Sequence, residues 1–100
     1  MEQLDDLVAK SFLRPQVIFK HSTRCSISSM VLQRLERETQ PDGMDFYYLD
    51  LLLYRPVSNA IAEKFHVYHE SPQIIVIRDG DAIYDESHLA IQMQEIAANL

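Results

Sequence analysis

The chain has 100 residues, 47% of them hydrophobic, and a formal net charge of −6. That length points to a single domain over 1–100, and the acidic balance excludes general nucleic-acid binding, which needs a basic surface. The longest apolar run, LDLLLY at 49–54, is too short to span a bilayer, and the acidic opening MEQLDDLVAK lacks the basic and apolar regions of a signal peptide. One cysteine, Cys25, and no export signal fit a reducing cytoplasm, where a thiol persists unpaired.

In chain order, Leu4, Leu7, Val8 and Phe12 recur at helical steps and predict an N-terminal helix, which Pro15 discourages from continuing. QVIFK (16–20) has the β-branched and aromatic character of a strand. Ile27, Val31 and Leu35 trace one face of a second helix, ending before the turn signal QPDG at 40–43. MDFYYLDL (44–51) is the next strand. Pro56 suits a helix start, with Val57, Ile61 and Phe65 on its apolar stripe. QIIVI (73–77) is the continuous apolar run of a central strand, and the Asp79-Gly80 pair joins it as a hairpin to AIYD (82–85). Ser87 is the expected cap of a final helix carrying Leu89, Met93, Ile96 and Leu100 on one stripe.

This order predicts an α/β protein with a four-stranded mixed sheet flanked by helices, as the thioredoxin-like fold requires. A strand-helix-strand crossover makes the first two strands parallel, and the hairpin makes the last two antiparallel. Ligands meet such sheets at the carboxyl ends of the parallel strands. Strand direction then brings four segments to one end: HSTRCSIS (21–28), YRPVSN (54–59), ESPQ (70–73) and DESH (85–88). Cys25 lies among them, at or inside the first turn of the second helix. Unpaired N–H groups and the positive dipole end favour an anion there. Arg24 adds a full charge beside it, and Ser28 is placed to donate a hydrogen bond to the sulfur. Together they are expected to hold the thiol below its ordinary ionisation range.

Three stretches carry a resemblance. KHSTRCSIS, YRPVSNAIAEKF and HESPQIIVIRDGDAIYDESH resemble the bacillithiol-system monothiol proteins of the YtxJ type, the monothiol bacilliredoxins, and the similarity covers nearly the whole chain. The segment from Ser71-Pro72 is the most diagnostic of the thioredoxin-like superfamily, and the resemblance implies a cis Ser71–Pro72 bond facing Cys25. It also implies thiol–disulfide exchange in a stress response: Cys25 removes a low-molecular-weight thiol, by resemblance bacillithiol, from capped protein cysteines. Ser26, Ile27 and Ser28 stand where a resolving cysteine would fall, which excludes a dithiol cycle. The partners implied are protein mixed disulfides and the small thiol, with no nucleic acid and no membrane. No bound cofactor is expected, and bacillithiol enters as co-substrate.

The malate group of bacillithiol calls for cations near the sulfur. Arg55, with Ser87 and His88, is the expected thiol-binding set, and Arg24, Ser28, Ser71 and Pro72 support the catalytic Cys25. Two other classes compete: a thioredoxin-fold binding module in which Cys25 is incidental, and an iron–sulfur carrier bridging two chains. The carrier's glycine-phenylalanine pair after the cysteine is missing here. His21, His66, His69 and His88 match no closed zinc spacing, and one cysteine supplies too few thiolates.

Overall fold

A computed structural model describes residues 2–22 and 26–100. Its elements follow the predicted order: α1 (Glu2–Lys10), β1 (Gln16–His21), α2 (Ser26–Arg37), β2 (Asp45–Asp50), α3 (Arg55–Phe65), β3 (Gln73–Arg78), β4 (Asp81–Ser87) and α4 (Met93–Ala98). The sheet order is β2-β1-β3-β4. β1 is parallel to β2 and antiparallel to β3, and β4 returns antiparallel on β3.

The two central strands are the two most buried, because helices cover both of their faces. Val17, Phe19, Ile74 and Val76 pack with Val31 and Leu35 of α2 and with Ile91, Met93 and Ile96. On the other face Ile18, Ile75 and Ile77 meet Leu4 and Leu7 of α1 and Ile61 and Phe65 of α3. Successive residues of a strand point to opposite faces, so the period of two divides one sequence run between two cores.

Two expectations are corrected. Phe12 lies beyond the end of α1 and is 62% exposed, so the apolar stripe of that helix closes at Val8. Ser87 does not cap the last helix. It ends β4, a single 3-10 turn (His88–Ala90) follows, and α4 begins only at Met93. His88 has φ 58°, left-handed backbone that breaks any continuous helix from Ser87. Arg34 of α2 holds this segment by donating to the carbonyls of Leu89 and Ile91.

The hairpin turns at Asp79 and Gly80, whose φ values of 51° and 82° are the pair of positive angles that a two-residue turn matched to strand twist demands. Ser11, just past α1, clamps it: the Ser11 carbonyl accepts the Asp79 N–H at 3.0 Å and its Oγ accepts the Gly80 N–H at 2.9 Å. This end of the sheet is structural, and the candidate site lies at the other.

Candidate functional site

The register sets the site. His21 pairs with Asp50, so β1 and β2 end side by side; Gln73, at the start of β3, pairs with Lys20 on one side and Ser87 on the other. One edge therefore collects the ends of β1, β2 and β4 and the beginning of β3, which is the convergence expected from strand direction. Cys25 and Arg24, the expected nucleophile and its neighbour, fall outside the described residues, and so does Thr23. The residues flanking them, Ser22 and Ser26, belong to this edge.

Both flanks are tied down. The Ser22 N–H donates to Ser28 Oγ at 3.1 Å, and Ser28 Oγ is hydrogen-bonded to His21 Nδ1 at 2.8 Å. Ser28 is fully buried and His21 is 2% exposed, its ring packed against Tyr48 and Phe19. Burial pushes the His21 ionisation down, while Asp50 and the hydrogen bond to Ser28 oppose that shift. Ser28, expected to serve the sulfur directly, thus has its hydroxyl engaged by β1 and the residue after it. It joins the strand end to the first turn of α2 across the segment that carries Cys25.

Opposite, the Ser71–Pro72 bond is cis, and the Pro72 carbonyl accepts the His88 N–H at 2.9 Å. That bond takes up the first N–H after Ser87, and the three-residue 3-10 turn supplies no helix N-terminus for an anion. Ser87 lies in β4, beside Gln73. His88 Nε2 stands 3.5 Å from Glu70 Oε2, so this candidate thiol ligand already has an acidic neighbour. Ser71 Oγ is buried and has no hydrogen-bond partner among the described residues.

Arg55 opens α3 just beyond β2 and is exposed, and among the described residues no carboxylate lies within 4.0 Å of it. Its charge reaches His69. Burial, then Lys20 and Arg55, hold the His69 ionisation down, and Glu70 works against them. His69 Nδ1 lies 3.3 Å from Ser58 Oγ and 3.5 Å from Lys20 Nζ. Several apolar side chains in the segments that reach this edge are exposed: Ile27, Leu53, Tyr54, Tyr68 and Leu89.

Lys20, His21, Ser58 and His69 were not distinguished as site residues by sequence reasoning, which weighed His21 and His69 only as metal ligands. Pairing each against its strand register would have found the first two, since both follow the apolar run Val17, Ile18 and Phe19 at the end of β1. Among the described residues no group of three or more His, Cys, Asp or Glu side chains is placed to hold a metal ion, and no helix is long and apolar enough to cross a membrane.

A family model described as monothiol bacilliredoxin BrxC matches residues 1–96. Among solved structures, a thioredoxin-fold protein proposed to be an oxidoreductase is 28% identical, with a TM-score of 0.81 over 99% of this chain and 87% of that one. The thioredoxin of Malassezia sympodialis is 17% identical (TM-score 0.69, covering 97% of this chain and 79% of that one). The Fasciola hepatica thioredoxin is also 17% identical, with a TM-score of 0.67 over 97% and 88% of the two chains. The two thioredoxins establish the fold alone.

Proposed function

We propose that this chain, which belongs to the monothiol bacilliredoxin family, is a redox thiol protein that strips a low-molecular-weight thiol, bacillithiol, from capped cysteines of cytoplasmic proteins. The observation that carries the reading is the register of the sheet end. It gathers both flanks of Cys25, the Ser71-Pro72 segment and the opening of α3 around one edge.

The chemistry needs only sulfur. Cys25 thiolate attacks the bacillithiol sulfur of the mixed disulfide; the old S–S bond breaks as the new one forms, and the protein thiolate leaves and takes up a proton. Cys25 is then itself capped. Without a second cysteine in the chain, an external thiol must attack that new disulfide to return Cys25. The electrons come from that thiol, so the cycle requires no metal and no bound cofactor.

Two features of this edge support the reading. Ser71 Oγ, buried with no partner among the described residues, offers a hydroxyl to an extended substrate backbone beside Pro72. Arg55 offers a guanidinium suited to the carboxylates of the malate group, and Arg24 adds a second cation adjoining Cys25 in sequence. The exposed Tyr54, Tyr68 and Leu89 suit an apolar protein surface around the capped cysteine. The test is single-turnover transfer of the cap with Cys25→Ser. Serine is nearly isosteric and un-ionised at neutral pH, so transfer is lost while the fold stays. Transfer at the wild-type rate by the folded variant would remove Cys25 from the mechanism.

A further inference from the structure

The sheet has two outer strands, β2 and β4, and they differ in how their open edges are protected. An unpaired edge presents a row of backbone donors and acceptors to any passing chain, and proteins usually blunt it with charges, proline or a bulge. β4 is blunted: its register against β3 shifts between Val76 and Ile77, and Asp81 and Asp85 are exposed along it. β2 has neither device along its middle. Its register on β1 is unbroken from Asp45 to Asp50, and between those carboxylates lie only Phe46, Tyr47, Tyr48 and Leu49.

The hydrogen bonds fix which groups face outward. The Asp45 N–H goes to the Pro15 carbonyl and the Leu51 N–H to the His21 carbonyl, so the odd-numbered residues of β2 turn their backbone to β1. Backbone groups alternate in direction along a strand, which turns the N–H and carbonyl of Phe46 and of Tyr48 to the open side. Arg14 closes only the start of this edge, donating to the Met44 carbonyl at 2.7 Å. No backbone bond from a turn, loop or cap reaches Phe46 or Tyr48 among the described residues.

Two apolar cavities flank the strand. On the α3 face one of about 320 Å³ is lined by Leu4, Leu7, Tyr47, Leu49 and Val57. On the α2 face one of about 310 Å³ is lined by Leu32, Leu35, Phe46 and Met93. Tyr48, 48% exposed, borders both. Successive side chains of an extended segment point to opposite faces, so a strand laid against β2 sends alternate side chains toward the two cavities.

The charge around the edge selects the occupant. Glu36 and Glu38 also line the α2-side cavity, and among the described residues no lysine or arginine lines either one. Glu36, Glu38 and Asp50 have no ion-pair partner within 4.0 Å among the described residues. Burial, then Asp50 and Glu36, push the Tyr48 ionisation up, so both carboxylates act on the exposed centre of the edge. A second copy, with its own charge of −6, would bring the same carboxylates against this edge and repel.

We propose that the open edge of β2 is a docking site for an extended segment of a partner protein, apolar at alternate positions and carrying lysine or arginine, which adds to the four-stranded sheet as a further strand. Main-chain bonds to Phe46 and Tyr48 hold the segment, the two cavities take its apolar side chains, and Glu36, Glu38 and Asp50 read its charge. The proposal concerns this surface alone and stands whether or not Cys25 exchanges thiols.

The experiment adds to the full chain a short synthetic peptide that alternates valine and threonine between terminal lysines, and follows amide hydrogen exchange by NMR. At saturating peptide the Phe46 and Tyr48 amides are expected to exchange about tenfold more slowly or better, while the outer amides of β4 keep their rates. The double variant Glu36→Lys, Glu38→Lys reverses two exposed charges and is expected to raise the peptide's dissociation constant roughly fourfold or more, from about twofold for each exposed ion pair lost. If that variant does not fold, the comparison of peptides on the wild type decides: the same core between terminal glutamates is expected to bind more weakly by at least as much. Equal binding of the two peptides would overturn the proposal. Binding that leaves Phe46 and Tyr48 unprotected, or no binding at millimolar peptide, would overturn it as well. Protection of these amides by raising the protein concentration alone would assign the edge to a second copy and refute the partner proposed.

Discussion

Ser28 Oγ sits 2.8 Å from His21 Nδ1 while accepting the Ser22 N–H at 3.1 Å, so one hydroxyl joins the end of β1 to the first turn of α2. All three residues are buried. A group with that many obligations in a buried setting is expensive to remove, because its former partners cannot turn to water.

Ser28→Ala is accordingly expected to cost about 1–3 kcal/mol of stability, the range for a buried polar group left unsatisfied. Urea denaturation measures it, and a loss below a few tenths of a kcal/mol would mean that water replaces the hydroxyl.

The same pair fixes an acid-side dependence. The His21 ionisation is lowered in the folded protein, so the unfolded chain takes up a proton first as pH falls through its ordinary value near 6.5. Stability from this group is complete above that value and declines below it. His21→Gln is expected to flatten the decline below about pH 6.5, read from denaturation midpoints as pH falls.

Lys20 makes the opposite end of the pH scale informative. Its ionisation falls from 10.5 to about 8 on folding, so between those values the unfolded chain holds more protons than the folded one. Stability is expected to rise with pH across that window, by about 3 kcal/mol in all if no other group titrates there. Lys20→Met is expected to abolish the rise. Parallel wild-type and mutant curves from pH 8 to 10.5 would contradict the burial cost assigned to this ammonium.

At the far end, Gly80→Ala tests the division of the sheet into a structural edge and a chemical one. Gly80 has φ 82°, and a Cβ there would sit 3.2 Å from Phe12 Cζ. The left-handed backbone alone costs an L-residue about 1–2 kcal/mol. Stability is expected to fall by that amount with no change in the rate at which Cys25 is alkylated.

The third strand was legible because its burial is uniform: Ile74–Ile77 has no polar residue on either face, as a strand covered twice requires. The crossover and the Asp79-Gly80 turn set two of the strand pairs, and the convergence of four segments followed once the third strand was taken to run antiparallel to the first two. Ser87 misled because a serine followed by Leu89 and Met93 at helical spacing has the look of a capped helix. The left-handed backbone of His88 and the bond from its N–H to the Pro72 carbonyl are tertiary effects that periodicity does not record. Lys20 was hidden for a similar reason. A lysine at the end of QVIFK normally marks where a strand reaches water, and only the packing of Ser58 and His69 over it reveals the reverse. The resemblance of the segment from Ser71 drew attention to Pro72, but nothing in the sequence separates a buried Ser71 hydroxyl, without a partner among the described residues, from a solvated one.

Arg55→Ala addresses what the site recognises. Exchange with a bacillithiol-capped substrate is expected to slow relative to an uncharged mixed disulfide, by roughly ten- to a hundredfold if a charge-assisted contact worth about 1.5–3 kcal/mol is fully formed. The ratio of the two rates is the quantity to follow, since a change common to both reflects the thiol rather than its cap. An unchanged ratio would take Arg55 out of thiol recognition.

The most direct measurement of the whole account is the intact mass of the protein after it meets a bacillithiol-capped protein with no other thiol present. Attack by Cys25 on the bacillithiol sulfur predicts that the substrate loses the cap's mass while this chain gains it, one cap per chain, at Cys25. Loss of the cap from the substrate with no adduct on Cys25, or a stable disulfide between Cys25 and the substrate protein as the sole product, would contradict it.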